Sequence, residues 1–321
     1  MSPVNDISST DSTSSSQQIP NGSHRAVTTT SSIDTLLVDM LRPSRDYVAL
    51  SRPVTQEDRK CFREELKKVN RFSGMYWILQ DEPIDEPFPW LTVKHILQQY
   101  SNKKDILNAL KVSNEDIVAI ADRTKGQLDN YKWIEMRFGR LIASDFGPLL
   151  LASSNTKRAP QSLFSKLVGT MTLEDMKNIQ YRTNHIEEAI QTFETKLNVK
   201  VTQTGIWLDE TGMLAASPDG LLGEEAILEV KCPLKHSSSN AQQILSDKSY
   251  CFKDGELDKS HPYYHQIQGQ LYILNRSMCY LLVFTPTDSI ILEVHKDLEW
   301  ETNLDKLKEF YVERFLRKLM E

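Results

Sequence analysis

Hydrophobic and polar positions follow recognisable periods along most of the chain, but not at its start. Residues 1–33 are rich in Ser, Thr, Gln, Asn and Pro and contain few aliphatic side chains. Such a segment buries too little apolar surface to offset the entropy of ordering, so it is predicted to be disordered. Residues 34–125 favour short helices, one of them opened by Ser113 with Asp116 three positions later. We expect a mostly helical N-terminal region of unknown role there, followed by a second domain over residues 126–321.

The pattern is firmer after residue 126. A helical period covers residues 127–143 and 263–274, and a capping box of Thr172 and Asp175 opens a third helix that runs to about Leu197. A terminal helix is expected within 298–320. Runs typical of strands occupy residues 199–208, 213–216, 226–231, 279–284 and 290–294. This order predicts an α+β fold with one mixed central sheet flanked by helices.

Bulk composition limits the functions that the chain can have. Its 321 residues carry a formal net charge of −6. No overall basic field therefore attracts nucleic acid, and such binding would need local basic patches or a bound metal ion. The four cysteines contain no Cys-x-x-Cys pair and are typical of reduced thiols. Neither a secretory signal nor an apolar run near the ~20 residues of a membrane span is found. We expect an intracellular protein, with the nucleus as a candidate location.

The stretch LAASPDGLLGEEAILEVKCP, residues 214–233, places two opposite charges on a strand that otherwise looks buried. Side chains alternate between the faces of a strand, so Glu229 and Lys231 share one face. A charge buried without a partner costs on the order of several kcal/mol. One explanation is a structural Glu–Lys pair on a half-exposed sheet. The other is a hard-cation site: Asp219 and Glu229 supply carboxylates, the Val230 carbonyl adds an oxygen, and Lys231 positions or activates a water.

The spacing of these residues resembles a known nuclease signature. Pro218-Asp219 followed ten positions later by Glu-x-Lys is the pattern of PD-(D/E)xK nucleases, and it lies here at a turn that leads into a strand. Three flanking segments make the resemblance more specific: SPDGL…LEVKCP, MRFGRLIAS (136–144) and YYHQIQGQLYI (263–273). In order and spacing they are similar to segments of the lambda-exonuclease and YqaJ viral-recombinase family, over roughly residues 131–294. The resemblance implies a restriction-endonuclease-like core.

The resemblance also implies roles for individual residues at the catalytic centre. Asp219 and Glu229 would bind Mg²⁺, with Mn²⁺ as a substitute, and the backbone carbonyl of Val230 would complete the metal ligands. Lys231 would orient or deprotonate the attacking water. Gln266 would lie at the active site as the residue carried by the helix.

Further roles follow from the flanking segments. Arg137 and Ser144 would hold the phosphate at the 5′ end of a DNA strand. Asp209 lies where the family often has another acidic residue. On the long helix the family commonly has a Glu that faces the metal ions, and Ile186 stands at that position; Glu187 is one residue away, a turn of about 100° on a helix.

The function implied is a metal-dependent DNA exonuclease that digests duplex DNA 5′ to 3′, in recombination or repair. Its partners would be duplex DNA ends, further copies of the chain in a homo-oligomer, and a single-strand annealing protein. Two alternatives stay open. Ile186 favours a non-catalytic nucleic-acid-binding recombination adaptor on the same fold, and a restriction-type endonuclease is the other. The intact Asp-Glu-Lys core argues against the adaptor, while Arg137 with Ser144 favours an end-dependent enzyme over an internal cutter.

Overall fold

The computed structural model describes residues 54–68, 88–154, 163–164, 167 and 172–321. The predicted tail at residues 1–33 lies outside the described residues. Residues from Val54 to Glu321 form one compact unit. Within the described ranges, every helix is either too short or too polar to cross a lipid bilayer.

The short helices between residues 93 and 123 pack against the sheets. Val93 of the second helix and Ile106 of the third lie in the main core together with Leu214 and Ile227 of the sheets. The sequence boundary expected near residue 125 is therefore bridged by a shared core. The helices are α1 (Gln56–Lys68), α2 (Val93–Gln99), α3 (Lys103–Leu110) and α4 (Asn114–Arg123).

The helix predicted over residues 127–143 is wrong in its last third. A 3₁₀ turn at Gln127–Asp129 leads into α5 (Tyr131–Arg137), after which the chain becomes β1 (Leu141–Ile142). The break lies at Gly139, which has a φ of +74°, a left-handed conformation that ends a helix. A Cβ at this position would lie 2.5 Å from Cγ1 of Val93, so the close packing of α2 also requires glycine.

Within the part of the chain that the structure describes, the strands form two mixed sheets and a small ribbon rather than one sheet. The four-stranded sheet has the order β4-β5-β8-β9, with β5 and β8 parallel and the other pairs antiparallel. The three-stranded sheet has the order β1-β3-β2, and β6 pairs with β7. The α+β class with mixed sheets is confirmed. The strands are β2 (Trp207–Leu208), β3 (Leu214–Ala216), β4 (Gly220–Leu222), β5 (Ala226–Lys231), β6 (Phe252–Lys253), β7 (Glu256–Leu257), β8 (Met278–Phe284) and β9 (Ser289–His295).

The remaining helices cover the sheets. The expected capping box of Thr172 and Asp175 opens the long helix, which ends at Asn198 in a left-handed conformation. The terminal helix predicted within 298–320 is divided by a π-helical turn at Tyr311–Phe315. The helices are α6 (Phe146–Ser154), α7 (Leu173–Leu197), α8 (Ala241–Ser246), α9 (Pro262–Ile273), α10 (Thr302–Phe310) and α11 (Leu316–Met320).

Strand β5 lies between two helices, and this arrangement positions the site. Leu228 and Val230 on one face pack with Ala189 and Phe193 of α7. The alternating side chains on the other face point toward α9, and they include Glu229. The strand that carries the charges is therefore covered on both sides, and its polar face needs hydrogen-bond partners.

Candidate active site

Glu229 is the most completely bonded group on the polar face of β5. The residue is 4% exposed. Its Oε1 accepts hydrogen bonds from Lys231 Nζ at 2.8 Å and from Gln266 Nε2 at 2.7 Å. Its Oε2 accepts one from Gln270 Nε2 at 2.7 Å. The structure thus brings together three residues that the sequence predicted, Glu229, Lys231 and Gln266, and adds Gln270.

Lys231 is held between the strand and α9. Besides its bond to Glu229, Nζ donates to Gln266 Oε1 at 2.8 Å and lies 4.3 Å from the ring centroid of Tyr263. Burial lowers the pKa of the Lys231 ammonium, but Glu229, Tyr263 and Asp219 outweigh it, and the pKa is raised overall. The folded protein thus favours the ammonium form of Lys231, which can orient a water or a phosphate oxygen.

Helix α9 supplies the neutral part of the cluster. His261 caps its start, with Nδ1 accepting from the Tyr263 N–H at 3.1 Å. Gln266 and Gln270 are four positions apart and therefore lie on the same helix face. Gln268 points elsewhere: its side chain bonds the His295 carbonyl at 2.9 Å and the backbone N–H of Asp297 at 2.8 Å. Gln268 thus anchors the helix, while Gln266 and Gln270 belong to the site.

Asp219 lies at the edge of the same sheet, just before β4. Its N–H donates to the Leu228 carbonyl at 2.9 Å, and its Oδ2 accepts from the Val230 N–H at 2.7 Å. Arg182 of α7 donates to Oδ1 and forms an ion pair with the carboxylate. Burial raises the pKa of Asp219, the charge of Glu229 adds to this shift, and Arg182 opposes it. The two carboxylates are thus close enough to interact electrostatically.

The donor set has the chemistry that a hard divalent cation requires. A residue in a strand directs its N–H and its C=O toward the same edge, so the Val230 carbonyl faces the side where Asp219 lies. Among the described residues, Oε1 of Gln270 is buried without a hydrogen-bond donor, which leaves an oxygen acceptor beside Glu229. No group of three or more His, Cys, Asp or Glu side chains suited to a metal ion occurs in the described ranges. Asp219, Glu229 and the Val230 carbonyl are the oxygen donors that would hold such a cation.

Arg137 approaches this cluster through the indole of Trp133. The Arg137 guanidinium carbon lies 4.3 Å from the centroid of the Trp133 ring, and Trp133 Nε1 donates to Ser217 Oγ at 2.9 Å. Burial lowers the pKa of Arg137 to about 10, Asp145 opposes the shift and the guanidinium of Arg182 adds to it. A lowered pKa means that the protein environment disfavours the positive charge of Arg137. An anionic ligand beside the guanidinium would offset this effect. Ser144 is exposed, in a 3₁₀ turn that precedes α6.

Three other sequence candidates are placed differently. Asp209 belongs to the turn between β2 and β3: Oδ2 accepts from Thr211 Oγ1 at 2.6 Å and Oδ1 from the Leu214 N–H at 2.9 Å. We therefore leave it out of the proposed metal ligands. Glu187 is exposed on α7. Ile186 packs against the apolar core between α7 and β5.

Sequence reasoning missed Gln270 and Arg182. Gln270 had a usable signal, because two glutamines four positions apart on one helix mark a shared polar face. Arg182 had none, since its contact with Asp219 depends on how α7 lies across the sheet. Trp133 was also missed, although an Arg four positions after a Trp on a helix is well placed to stack on it.

The site combines a strand that presents an acidic and a basic residue to a glutamine-bearing helix with a buried aspartate beside it, the arrangement expected from the PD-(D/E)xK signature. Residues 132–277 match the model of the YqaJ-like viral recombinase domain. This part of the chain is thus similar to that domain, and the match spans Arg137, Asp219, Glu229 and Gln266.

The relatives found by sequence are viral proteins. The chain is 24% identical over 227 residues to the alkaline nuclease of Autographa californica nuclear polyhedrosis virus, covering 63% of this chain and 52% of the relative. It is 23% identical over 225 residues to the alkaline nuclease of Orgyia pseudotsugata multicapsid polyhedrosis virus, covering 63% and 51%. The chain thus spans about half the length of the curated relatives it matches.

Solved structures give a looser match. An alkaline exonuclease from Laribacter hongkongensis is similar with a TM-score of 0.43 and 18% identity, over 59% of this chain and 97% of that chain. The shutoff and exonuclease protein of Kaposi's sarcoma-associated herpesvirus is similar with a TM-score of 0.46 and 11% identity, over 86% and 96%.

Proposed function

We propose that the protein is a DNA exonuclease that depends on a divalent cation, Mg²⁺ with Mn²⁺ as a substitute, and digests duplex DNA from a 5′ end. The observation that carries the proposal is the buried cluster of Glu229, Lys231 and Gln266 beside Asp219, within a YqaJ-like domain. A buried ion pair is expensive unless it is fully hydrogen-bonded, and clusters of perturbed ionisable groups are enriched at functional sites. The names of the viral relatives, alkaline nucleases, support the same activity class.

The chain's own residues would divide the work at the cleavage site. Asp219, Glu229 and the Val230 carbonyl would hold the cation, which supplies Lewis-acid polarisation of the phosphodiester when bound. Gln266 and Gln270 fix the orientation of the Glu229 carboxylate. Lys231 offers a buried ammonium that stabilises negative charge as it develops on a phosphate oxygen.

Arg137 would fix the position of the DNA end by binding its terminal phosphate. A guanidinium stacked on Trp133 is held in one orientation and presents a planar fork that matches two phosphate oxygens. An enzyme that acts from an end needs such a grip on the terminal phosphate, whereas an internal cutter does not. Ser144, exposed on the following turn, is the companion hydroxyl donor in this proposal.

A second candidate function is a non-catalytic DNA-binding adaptor for recombination. It is favoured by the apolar packing of Ile186 and by the ion pair of Arg182 with Asp219. The two functions differ in one measurable property, which is turnover.

Duplex DNA labelled at either its 5′ or its 3′ end, incubated with the protein and Mg²⁺ or Mn²⁺, tests the proposal. Wild type should remove nucleotides progressively from 5′ ends, and Glu229→Gln should be inactive. Glu293→Gln is the matched control, because it makes the same change at an exposed position on β9 of the same sheet. Digestion of no DNA form with either metal would end the exonuclease proposal, while retained DNA binding in that case would favour the adaptor.

A further inference from the structure

Arg182 reaches the edge of the site from the opposite side of the sheet to α9. It shares one face of α7 with Ile186, Ala189 and Phe193, which follow it by four, seven and eleven positions. The last two are buried against β5, so this helix face is directed at the sheet. The Arg182 side chain keeps 31% of its surface exposed, whereas that of Asp219 keeps 4%.

The two oxygens of Asp219 are held by partners of different mobility. Oδ2 accepts from the Val230 backbone N–H, which belongs to the paired strand β5 and cannot move independently. Oδ1 is paired with a long, partly exposed side chain that has many rotamers. A cation ligated by Oδ1 and the guanidinium of Arg182 would compete for the same lone pairs, and two positive groups would repel each other there.

We propose that Arg182 is an exchangeable counter-ion for Asp219: it holds the carboxylate until a divalent cation takes its place, and it then binds a DNA phosphate beside Arg137. This proposal rests on the proposed function, because it requires a cation at Asp219 and DNA at Arg137. It assigns to α7 a direct part in loading the site.

The released guanidinium would have an anion to receive it. Arg137 stacks on Trp133, and Trp133 bonds Ser217, two positions before Asp219. The guanidinium of Arg182 is close enough to that of Arg137 to lower its pKa. An anion between two neighbouring guanidinium groups offsets their mutual repulsion, and a phosphate matches both of their planar forks.

Manganese binding without DNA tests the first part of the proposal, the displacement of Arg182 from Asp219 by a cation. The full-length wild type, Arg182→Met and Arg182→Gln are titrated with Mn²⁺, and the free Mn²⁺ is measured by electron paramagnetic resonance. Circular dichroism checks that each protein is folded. Both variants should bind Mn²⁺ at least about tenfold more tightly, the order that a lost hydrogen bond to a charged group allows. Arg137→Met is the matched control, since it removes the same charge nearby without touching Asp219, and it should tighten binding less.

The outcomes separate this proposal from the proposed function. If wild type binds Mn²⁺ and the Arg182 variants bind it no more tightly than Arg137→Met does, the exchange is wrong and the metal-dependent function stands. If no protein in the series binds Mn²⁺, both are wrong.

Duplex binding tests the second part of the proposal, that the released Arg182 binds a DNA phosphate. Binding of a 5′-phosphorylated duplex is measured by fluorescence anisotropy in Ca²⁺ and in EDTA. A gel confirms that the DNA stays intact. Arg182→Met should weaken binding in Ca²⁺ at least about fivefold more than in EDTA, because the guanidinium reaches the phosphate only after exchange. An equal loss in both conditions would overturn the phosphate role, because a residue that merely supports the fold would act in the same way with and without the cation.

Discussion

Gln270 donates a 2.7 Å hydrogen bond to Oε2 of Glu229, one helical turn beyond Gln266, which donates to Oε1. Both oxygens of the carboxylate are therefore oriented by neutral amides. Amides do not titrate in the ordinary pH range, so the orientation of Glu229 does not depend on the charge of Lys231 alone.

Replacing Gln270 with Met should keep the volume of the side chain and remove its donor. Oε2 of Glu229 would then be buried without that bond, so we expect a loss of about 1–3 kcal/mol in the free energy of unfolding and a lower kcat. Urea unfolding and steady-state digestion of duplex DNA measure the two effects. Gln242→Met, at an exposed position on α8, is the control. Unchanged stability and kcat in Gln270→Met would show that the bond to Oε2 contributes nothing.

Replacing Lys231 with Met should lower nuclease activity by roughly 100-fold or more, the range for loss of a positioned acid–base or electrostatic group. Glu229 keeps both of its amide donors, so the fold should be retained. Affinity for Mn²⁺ should not fall, because a positive charge is removed from beside the carboxylates. Lys235→Met, a largely exposed lysine just after β5, is the control for activity. A Lys231→Met protein with more than a tenth of wild-type activity would exclude a catalytic role for the ammonium.

Replacing Arg137 with Ala should slow digestion of 5′-phosphorylated duplex about tenfold more than that of 5′-hydroxyl duplex, because only the former presents the charge that the guanidinium binds. Arg137→Lys should restore little, since lysine cannot reproduce the fork or the stacking on Trp133. The measurement is the ratio of initial rates on the two ends. Equal losses on both ends would mean that Arg137 supports general DNA binding or folding.

The anchoring of α9 should depend on pH through Asp297. Hydrogen bonds from Tyr264 and Lys259 hold the pKa of Asp297 below its ordinary value of 3.8. A carboxyl group whose pKa is lower in the folded state stabilises the protein above that ordinary value, and the contribution disappears as the pH falls below it. Tyr264→Phe should therefore lower the Tm most at neutral pH, and the difference from wild type should shrink below about pH 4.

Tyr272→Phe is the control for this pH dependence. Its hydroxyl donates to the backbone carbonyl of Asp297 at 3.0 Å, a group that does not titrate. The Tyr272→Phe substitution should therefore change the Tm by the same amount at every pH. Differential scanning calorimetry measures the Tm of both variants. If the two variants show parallel Tm profiles, the ionised carboxylate of Asp297 does not anchor the helix.

Local periodicity was sufficient for the strand and its polar face. The predicted strand at residues 226–231 matches β5, and the shared face of Glu229 and Lys231 follows from the alternation of side chains. The start of α7 was also predictable, because a capping box is a local signal. These features depend only on neighbours within a few positions.

Features that depend on tertiary contacts were not predictable in this way. The end of α5 is set by the close approach of Val93 to Gly139, across a long stretch of chain. The ion pair of Arg182 with Asp219 joins residues 37 positions apart and requires the packing of α7 on the sheet. Asp209 had the residue type of a metal ligand, but the turn between β2 and β3 uses its carboxylate.

The amide groups that bond Glu229 are synthesised well after Glu229 itself. Gln266 and Gln270 leave the ribosome 37 and 41 residues after Glu229, and β8, the parallel neighbour of β5, is made later still. At ~5–20 residues per second, the newly made carboxylate waits roughly 2 to 8 seconds for its amide partners. During that interval the edge of β5 that will pair with β8 is open to other strands. The segment that carries the proposed chemistry is thus also exposed to mispairing during translation.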